Sequence, residues 1–178
     1  MDADGVQTGE GEQGRIQIAG PCVTRSYFNA TEDPQAQGWL DTGDLGFVHQ
    51  DEVYITGRGK DVIIHNGTNV HAHEIEEAVV RTVGELAQRA VAFSVPRQED
   101  LRDEVVVAVE LRKLPAPNTF PADVRSAVLK ELGVQVDHVL ALPRSAIPRT
   151  TSGKVQRGRA RELYRAGQLQ LGGTSTDG

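Results

Sequence analysis

From residue 57 onward the apolar residues change their spacing in a fixed order, and that order constrains the fold more than any other feature of the chain. The run Val62-Ile63-Ile64 reads as a short strand stopped by an Asn66-Gly67 turn. Helical spacing begins at His73, where Ile75, Ala78, Val79 and Val83 share one face and Glu74, Glu76, Glu77 and Arg81 are expected to face water. The glutamates crowd the first turn, which the helix dipole favours. Two β-rich runs follow, over 89–95 and 104–111, joined by a polar connection. A second helix is predicted over 122–132, with Pro121 near its first turn, Gly133 after its end, and Val124, Ala127, Val128 and Leu132 on its apolar face. A strand over 138–142 and a short charged helix over 157–166 complete the order. The fold class is α+β, a small mixed sheet covered by helices.

The part before residue 57 is different. Residues 15–20 alternate like a strand, 29–38 are polar and loop-like, and the first dozen residues are expected to fray. Gly46-Phe47-Val48 and Val53-Tyr54-Ile55, separated by His49-Gln50-Asp51-Glu52, read as a hairpin with a four-residue loop. Such a β-rich stretch is too short to close a core alone. The expected organisation is a β-rich end of a larger domain over 1–60, a complete α+β domain over 61–167, and a disordered tail over 168–178.

Composition removes several classes of function. The chain has 178 residues and a formal net charge of −6, from 25 acidic and 19 basic side chains. Phosphate backbones reward clustered Lys and Arg, so no nucleic acid partner is expected. No stretch approaches the roughly 20 apolar residues of a membrane helix, so no membrane span is expected. The N-terminal residues lack the basic and apolar regions of a signal peptide, and a cytoplasmic location is expected. A single cysteine, Cys22, excludes an intrachain disulfide and a Cys-based zinc cluster. The charge is also uneven: −8 over 1–56, −2 over 57–144 and +4 over 145–178. The basic end holds Arg149, Lys154, Arg157, Arg159, Arg161 and Arg165, which suit either a small anion or a solvated helix face.

Several short motifs fail on context. Gly9 to Gly14 matches G-x-G-x-x-G without a strand before it or a helix after it. Ser152-Gly153-Lys154 lacks the preceding glycine and the following Ser/Thr of a phosphate loop. His65, His71 and His73 are better read as loop and cap residues than as metal ligands, and no metal site is expected in this chain.

Three segments carry more. Thr42-Gly43-Asp44 places a carboxylate in a glycine-flanked turn, where it suits either a ribose diol or its own backbone. Gly57-Arg58-Gly59-Lys60-Asp61 allows a guanidinium to reach an anion and puts a polar residue at the junction of two segments, as a hinge or a plain linker. Pro148 to Lys154 is a flexible, hydroxyl-rich basic loop whose lysine suits charge developing at phosphate.

In this order the three segments resemble the adenylate-forming superfamily of acyl-CoA synthetases, fatty acyl-AMP ligases, adenylation domains and firefly luciferase. The resemblance runs from about residue 14 to residue 165. Gly14-Arg15-Ile16-Gln17-Ile18-Ala19-Gly20 and Ser26-Tyr27-Phe28-Asn29 look like the family's G-E-(I/L)-x-(I/V)-x-G and G-Y-(W/F)-N stretches, with Arg15 and Ser26 departing from Glu and Gly. Thr42-Gly43-Asp44 matches T-G-D, and Gly57-Arg58-x-Lys60-Asp61 continues through Gly67, Asn69 and Glu74-Ile75-Glu76. Pro148-Arg149-Thr150-x-Ser152-Gly153-Lys154 matches P-(R/K)-T-x-S-G-K.

The resemblance implies roles. Asp44 would bind the ribose hydroxyls of ATP and acyl-AMP, with Arg58 assisting. Lys60 and Asp61 would form the hinge of a mobile C-terminal domain, Gly67 would lie on the loop approaching the acceptor thiol, and Lys154 would be the catalytic contact to carboxylate and α-phosphate. The implied cofactors are ATP and Mg2+, the latter held mainly by a large N-terminal domain that this chain lacks. The implied partners are that domain, a carboxylic acid, and a phosphopantetheine thiol on an acyl carrier protein or coenzyme A. Ala72, where coenzyme A synthetases more often carry proline, makes the chain look most like fatty acyl-AMP ligases. The chain alone is expected to be inactive. A docking module without catalysis is the competing reading, and such a module would need neither Lys154 nor Asp44.

Overall fold

The computed structural model describes residues 1–2, 6–23, 38–65, 67–97, 103–114 and 116–169. Ser26 to Asn29, Asn66 and most of the polar connection between the runs over 89–95 and 104–111 lie outside the described residues. The chain divides into two compact units, Met1–Val62 and Ile63–Gly178.

The first unit is a three-stranded antiparallel sheet in the order β1 (Gly14–Ile18), β2 (Leu40–His49), β3 (Glu52–Arg58). Its hairpin turn has two residues, not the expected four: His49 pairs with Glu52, leaving Gln50 and Asp51 at φ 52° and 63°. Two successive left-handed residues match the strand twist. Described residues of the N-terminal stretch, expected to fray, are tied to this sheet. The Met1 ammonium donates to the Arg15 carbonyl at 3.0 Å, and the Gly11 N–H donates to the Val48 carbonyl at 2.8 Å.

Gly46 sits where the β2–β3 register shifts. A Cβ there would meet the Tyr54 carbonyl oxygen, and would come within 2.7 Å of Ile16 Cδ1. Gly46→Ala therefore forces the hairpin to open and should destabilise this unit by about 1–3 kcal/mol. Urea denaturation followed by tryptophan fluorescence checks this, because Trp39 adjoins β2.

A two-stranded sheet follows, β4 (Val62–His65), which starts at the last residue of the first unit, and β5 (Thr68–His71), joined through Gly67 at φ 77°. Next come α1 (Ala72–Val83), β6 (Ala87–Pro96), β7 (Asp103–Leu111), α2 (Phe120–Leu132), β8 (His138–Leu142) and α3 (Arg157–Arg165). The main sheet has the order β6-β7-β8, antiparallel then parallel, with α2 in the crossover. It is the mixed sheet that the spacing predicts.

Central β7 is buried on both faces, which explains its nearly unbroken apolar run. On one face, Val105, Val107 and Val109 join Ile75 and Val79 of α1 and Val124 and Val128 of α2. On the other, Val106 and Ala108 join Val91, Phe93, Leu142, Ile147 and Ala160 of α3. Leu169, which the sequence reading places in a disordered tail, is 5% exposed and belongs to that second layer. Residues 170–178 lie outside the described residues.

The helix ends follow their local chemistry. Glu74 Oε2 accepts the His71 N–H at 2.8 Å, the return half of a capping box. Gly133, at φ 67°, closes α2 through its N–H to the Leu129 carbonyl at 3.0 Å. Burial, with Glu104 and Asp137 adding to it, pushes the Tyr164 hydroxyl above its ordinary value where the ring packs edge-on to Phe93.

One solvent-facing expectation fails. Glu76 is largely covered, because its carboxylate holds Arg157 and the Ala92 N–H.

Candidate active site

The residues singled out by sequence are distributed over both units. In the first, Asp44 lies within β2 rather than in a free turn, directly opposite Arg58 of β3. Arg58 Nε donates to Asp44 Oδ1 at 3.0 Å, so the two candidate nucleotide residues form one pair. Thr42 sets the carboxylate's backbone. Its hydroxyl donates to the Ile16 carbonyl at 3.0 Å and accepts the Asp44 N–H at 3.1 Å. Gly43, at φ 74°, bends the strand between them, and its N–H goes to Asp41 Oδ1 at 2.8 Å.

The pair is open to solvent, with the Asp44 side chain 24% and the Arg58 side chain 54% exposed. An exposed ion pair adds little to stability. A carboxylate whose second oxygen remains available can accept hydrogen bonds from a vicinal diol, and a guanidinium beside it can meet negative charge.

Lys60 and Asp61 form, with Gly59, a single 3₁₀ turn that the Val62 N–H closes onto the Gly59 carbonyl. This turn ends the first unit. Gly67 is exposed in the β4–β5 turn, with open space where a Cβ would stand.

The Lys154 segment is not the open, flexible loop that its composition suggests. Arg149 and Val155 make an antiparallel bridge, and the Gln156 N–H donates to the Pro148 carbonyl at 2.9 Å. Thr150 ties the tip: its N–H reaches the Lys154 carbonyl at 2.9 Å, and its hydroxyl accepts the Lys154 N–H at 3.1 Å. Gly153 turns the chain at φ 84°, with its N–H on the Thr150 carbonyl at 2.9 Å. Serine and threonine at these positions thus build a tight hairpin that presents Lys154 to solvent. Of the surrounding basic cluster, Arg157 is taken by Glu76 and Arg159 by Glu162. The Lys154 ammonium has no acidic partner within ion-pair distance among the described residues. A cation left open on a braced tip can stabilise charge developing on phosphate.

Among the described residues, no group of three or more His, Cys, Asp and Glu is arranged to hold a metal ion, and no helix is long and apolar enough to cross a membrane. Sequence reasoning missed Thr42 and Thr150 as supports. Both belong to motifs it had picked out, and only hydrogen-bond geometry separates their role from that of their neighbours.

No family model matches the chain. Individual relatives do. The probable long-chain-fatty-acid–AMP ligase FadD30 of Mycobacterium tuberculosis is 35% identical over 93% of this chain and 32% of its own length. A putative acyl-CoA synthetase of Caulobacter vibrioides is 38% identical over 92% of this chain and 29% of its own length. Among solved structures, McyG A-PCP complexed with phenylalanyl-adenylate superposes with a TM-score of 0.83 at 32% identity, covering 94% of this chain and 27% of that one. Fatty acyl-adenylate ligases from E. coli and L. pneumophila give 0.80 at 31% identity, covering 93% and 30%. The chain spans about a third of the length of the curated relatives it matches. Its relatives are thus named as fatty-acid–AMP ligases and acyl-CoA synthetases, and its fold is that of the C-terminal domains of the adenylate-forming enzymes among the solved structures it resembles.

Proposed function

We propose that the full-length polypeptide containing this chain activates a fatty acid with ATP and passes the acyl group to a phosphopantetheine thiol on a carrier protein. The observation that carries this reading is the Lys154 hairpin, a braced loop with an unpaired cation at its tip. In the first half-reaction the substrate carboxylate attacks the α-phosphorus of ATP, the bond to the bridging oxygen breaks, and pyrophosphate leaves. The Lys154 ammonium draws carboxylate and α-phosphate together and offsets the charge accumulating between them. The Asp44 carboxylate accepts the ribose hydroxyls, and its Arg58 pair holds it in place.

In the second half-reaction a thiolate attacks the acyl carbon and AMP departs with both bonding electrons. Lys60 and Asp61 are the hinge about which the second unit changes position between the two steps, and Gly67 borders the incoming thiol. Mg2+ accompanies ATP and is held by parts of the enzyme outside this chain. The proposed site of action is the cytoplasm.

A coenzyme A acceptor is the second reading, favoured by the name given to the Caulobacter relative. One experiment separates them. The full-length protein, ATP–Mg2+ and a long-chain fatty acid should yield pyrophosphate exchange, and acyl transfer to a phosphopantetheinylated carrier should exceed transfer to coenzyme A. Preferred coenzyme A transfer would establish the second reading, and absence of exchange with every acid tried would overturn both.

A further inference from the structure

The Lys154 hairpin stands on two carboxylates that have been given no role above, one of them the last residue of the Glu74-Ile75-Glu76 stretch. Its N-terminal foot is Ile147, 1% exposed, whose N–H donates to Glu110 Oε1 at 2.8 Å. Glu110 lies on central strand β7 and is fully buried, and its other oxygen has no hydrogen-bond partner among the described residues. A buried carboxyl with an unsatisfied oxygen costs the fold stability that an apolar residue would not. What it supplies is a fixed acceptor at the start of the hairpin.

The C-terminal foot is Arg157, the first residue of α3. Its Nε donates to Glu76 Oε1 and its Nη2 to Glu76 Oε2, both at 3.0 Å, with side chains only 18% and 16% exposed. Glu76 Oε1 also accepts the Ala92 N–H of β6 at 2.9 Å. One carboxylate therefore joins helix α1, strand β6 and the end of the hairpin. A two-pronged, half-buried Arg–carboxylate pair fixes direction as well as distance.

We propose that Glu76 and Glu110 are positioning residues that clamp the two feet of the Lys154 hairpin and so set where its ammonium stands during adenylation. The proposal rests on the reading of Lys154 given above. Lys154 is three residues from one clamp and seven from the other, all within one compact unit. A lost foot lets the tip pivot, and a misplacement of about 1 Å of a group acting on the reaction costs about 100-fold in rate.

The test uses the full-length protein with Glu76→Ala, Glu110→Ala and Glu110→Gln. Hydrogen–deuterium exchange reads the amides of Ile147, Thr150, Gly153, Lys154 and Gln156 against those of β7. Two half-reactions are followed separately: ATP–pyrophosphate exchange, and transfer from supplied acyl-AMP to the thiol. Each alanine variant should lose hairpin protection while β7 stays protected, and should lose about 10- to 100-fold in pyrophosphate exchange with transfer changed under about 3-fold. Glu110→Gln keeps an acceptor for the Ile147 N–H and should retain most activity. Combined with Lys154→Ala, Glu76→Ala should cost nothing further, because it acts through that lysine.

Unchanged hairpin protection overturns the proposal, as do equal losses in both half-reactions or full additivity with Lys154→Ala. Where Glu76→Ala also exposes β7, Arg157→Lys, which keeps the charge but loses the fork, takes its place under the same criteria. If Lys154→Ala alone leaves exchange intact, the reading of Lys154 fails, while the protection data still show whether the clamps hold the hairpin.

Discussion

Lys154→Ala in the full-length protein should reduce ATP–pyrophosphate exchange by about 100- to 1,000-fold, the loss typical of removing one preorganised group from developing transition-state charge. The fold should not notice. The side chain is exposed, and the hairpin is tied by the backbone of residue 154 and the Thr150 hydroxyl, neither of which alanine removes. Thermal stability should stay within about 0.5 kcal/mol of the parent. Lys154→Arg should rescue poorly, because a planar fork on a longer stem does not replace a compact ammonium. Transfer from supplied acyl-AMP should survive, since the charge that the lysine offsets develops in the first half-reaction. Equal exchange rates in variant and parent would remove Lys154 from the chemistry.

Asp44→Asn should raise the KM for ATP by about 10- to 100-fold, corresponding to the roughly 1.5–3 kcal/mol that hydrogen bonds to a charged group contribute. Asparagine has nearly the same shape, so Thr42 and Gly43 keep their hydrogen bonds and β2 keeps its register with β3. What disappears is the charge that pairs with Arg58 and would face a ribose diol. Because that pair is exposed, its loss should barely affect unfolding. A variant with an unchanged KM for ATP would leave Asp44 with the cross-strand pairing to Arg58 as its only role. Steady-state kinetics at varied ATP and saturating acid decides between them.

Periodicity located what depends on sequence neighbours. The apolar faces of α1 and α2, the run of β8 over 138–142 and the glycine stop after α2 are all visible in the spacing of residues. Strand β5 was not visible. It has four residues and a single buried side chain, Val70, too few to establish a period of two. The short turn at Gln50 and Asp51 was hidden because neither residue is glycine, the usual signal for two successive positive φ angles. Asp44 was read as a turn residue on the strength of Gly43, which the structure places inside a bent strand. Glu76 was assigned to solvent because its own helix puts it beside the apolar stripe. Its partner lies 81 residues away, a distance no local pattern spans.

The carboxylate of Glu76 has a second consequence, which concerns other chains rather than this one. In the order β6-β7-β8, strand β6 is an edge, and an edge strand offers unpaired backbone groups to any strand that approaches. At Ala92 that offer is withdrawn, because the N–H is already given to Glu76. An incoming strand would have to displace a carboxylate that Arg157 also holds. The same contact therefore blocks sheet extension at the middle of β6, protecting a strongly apolar sheet from aggregation by strand addition.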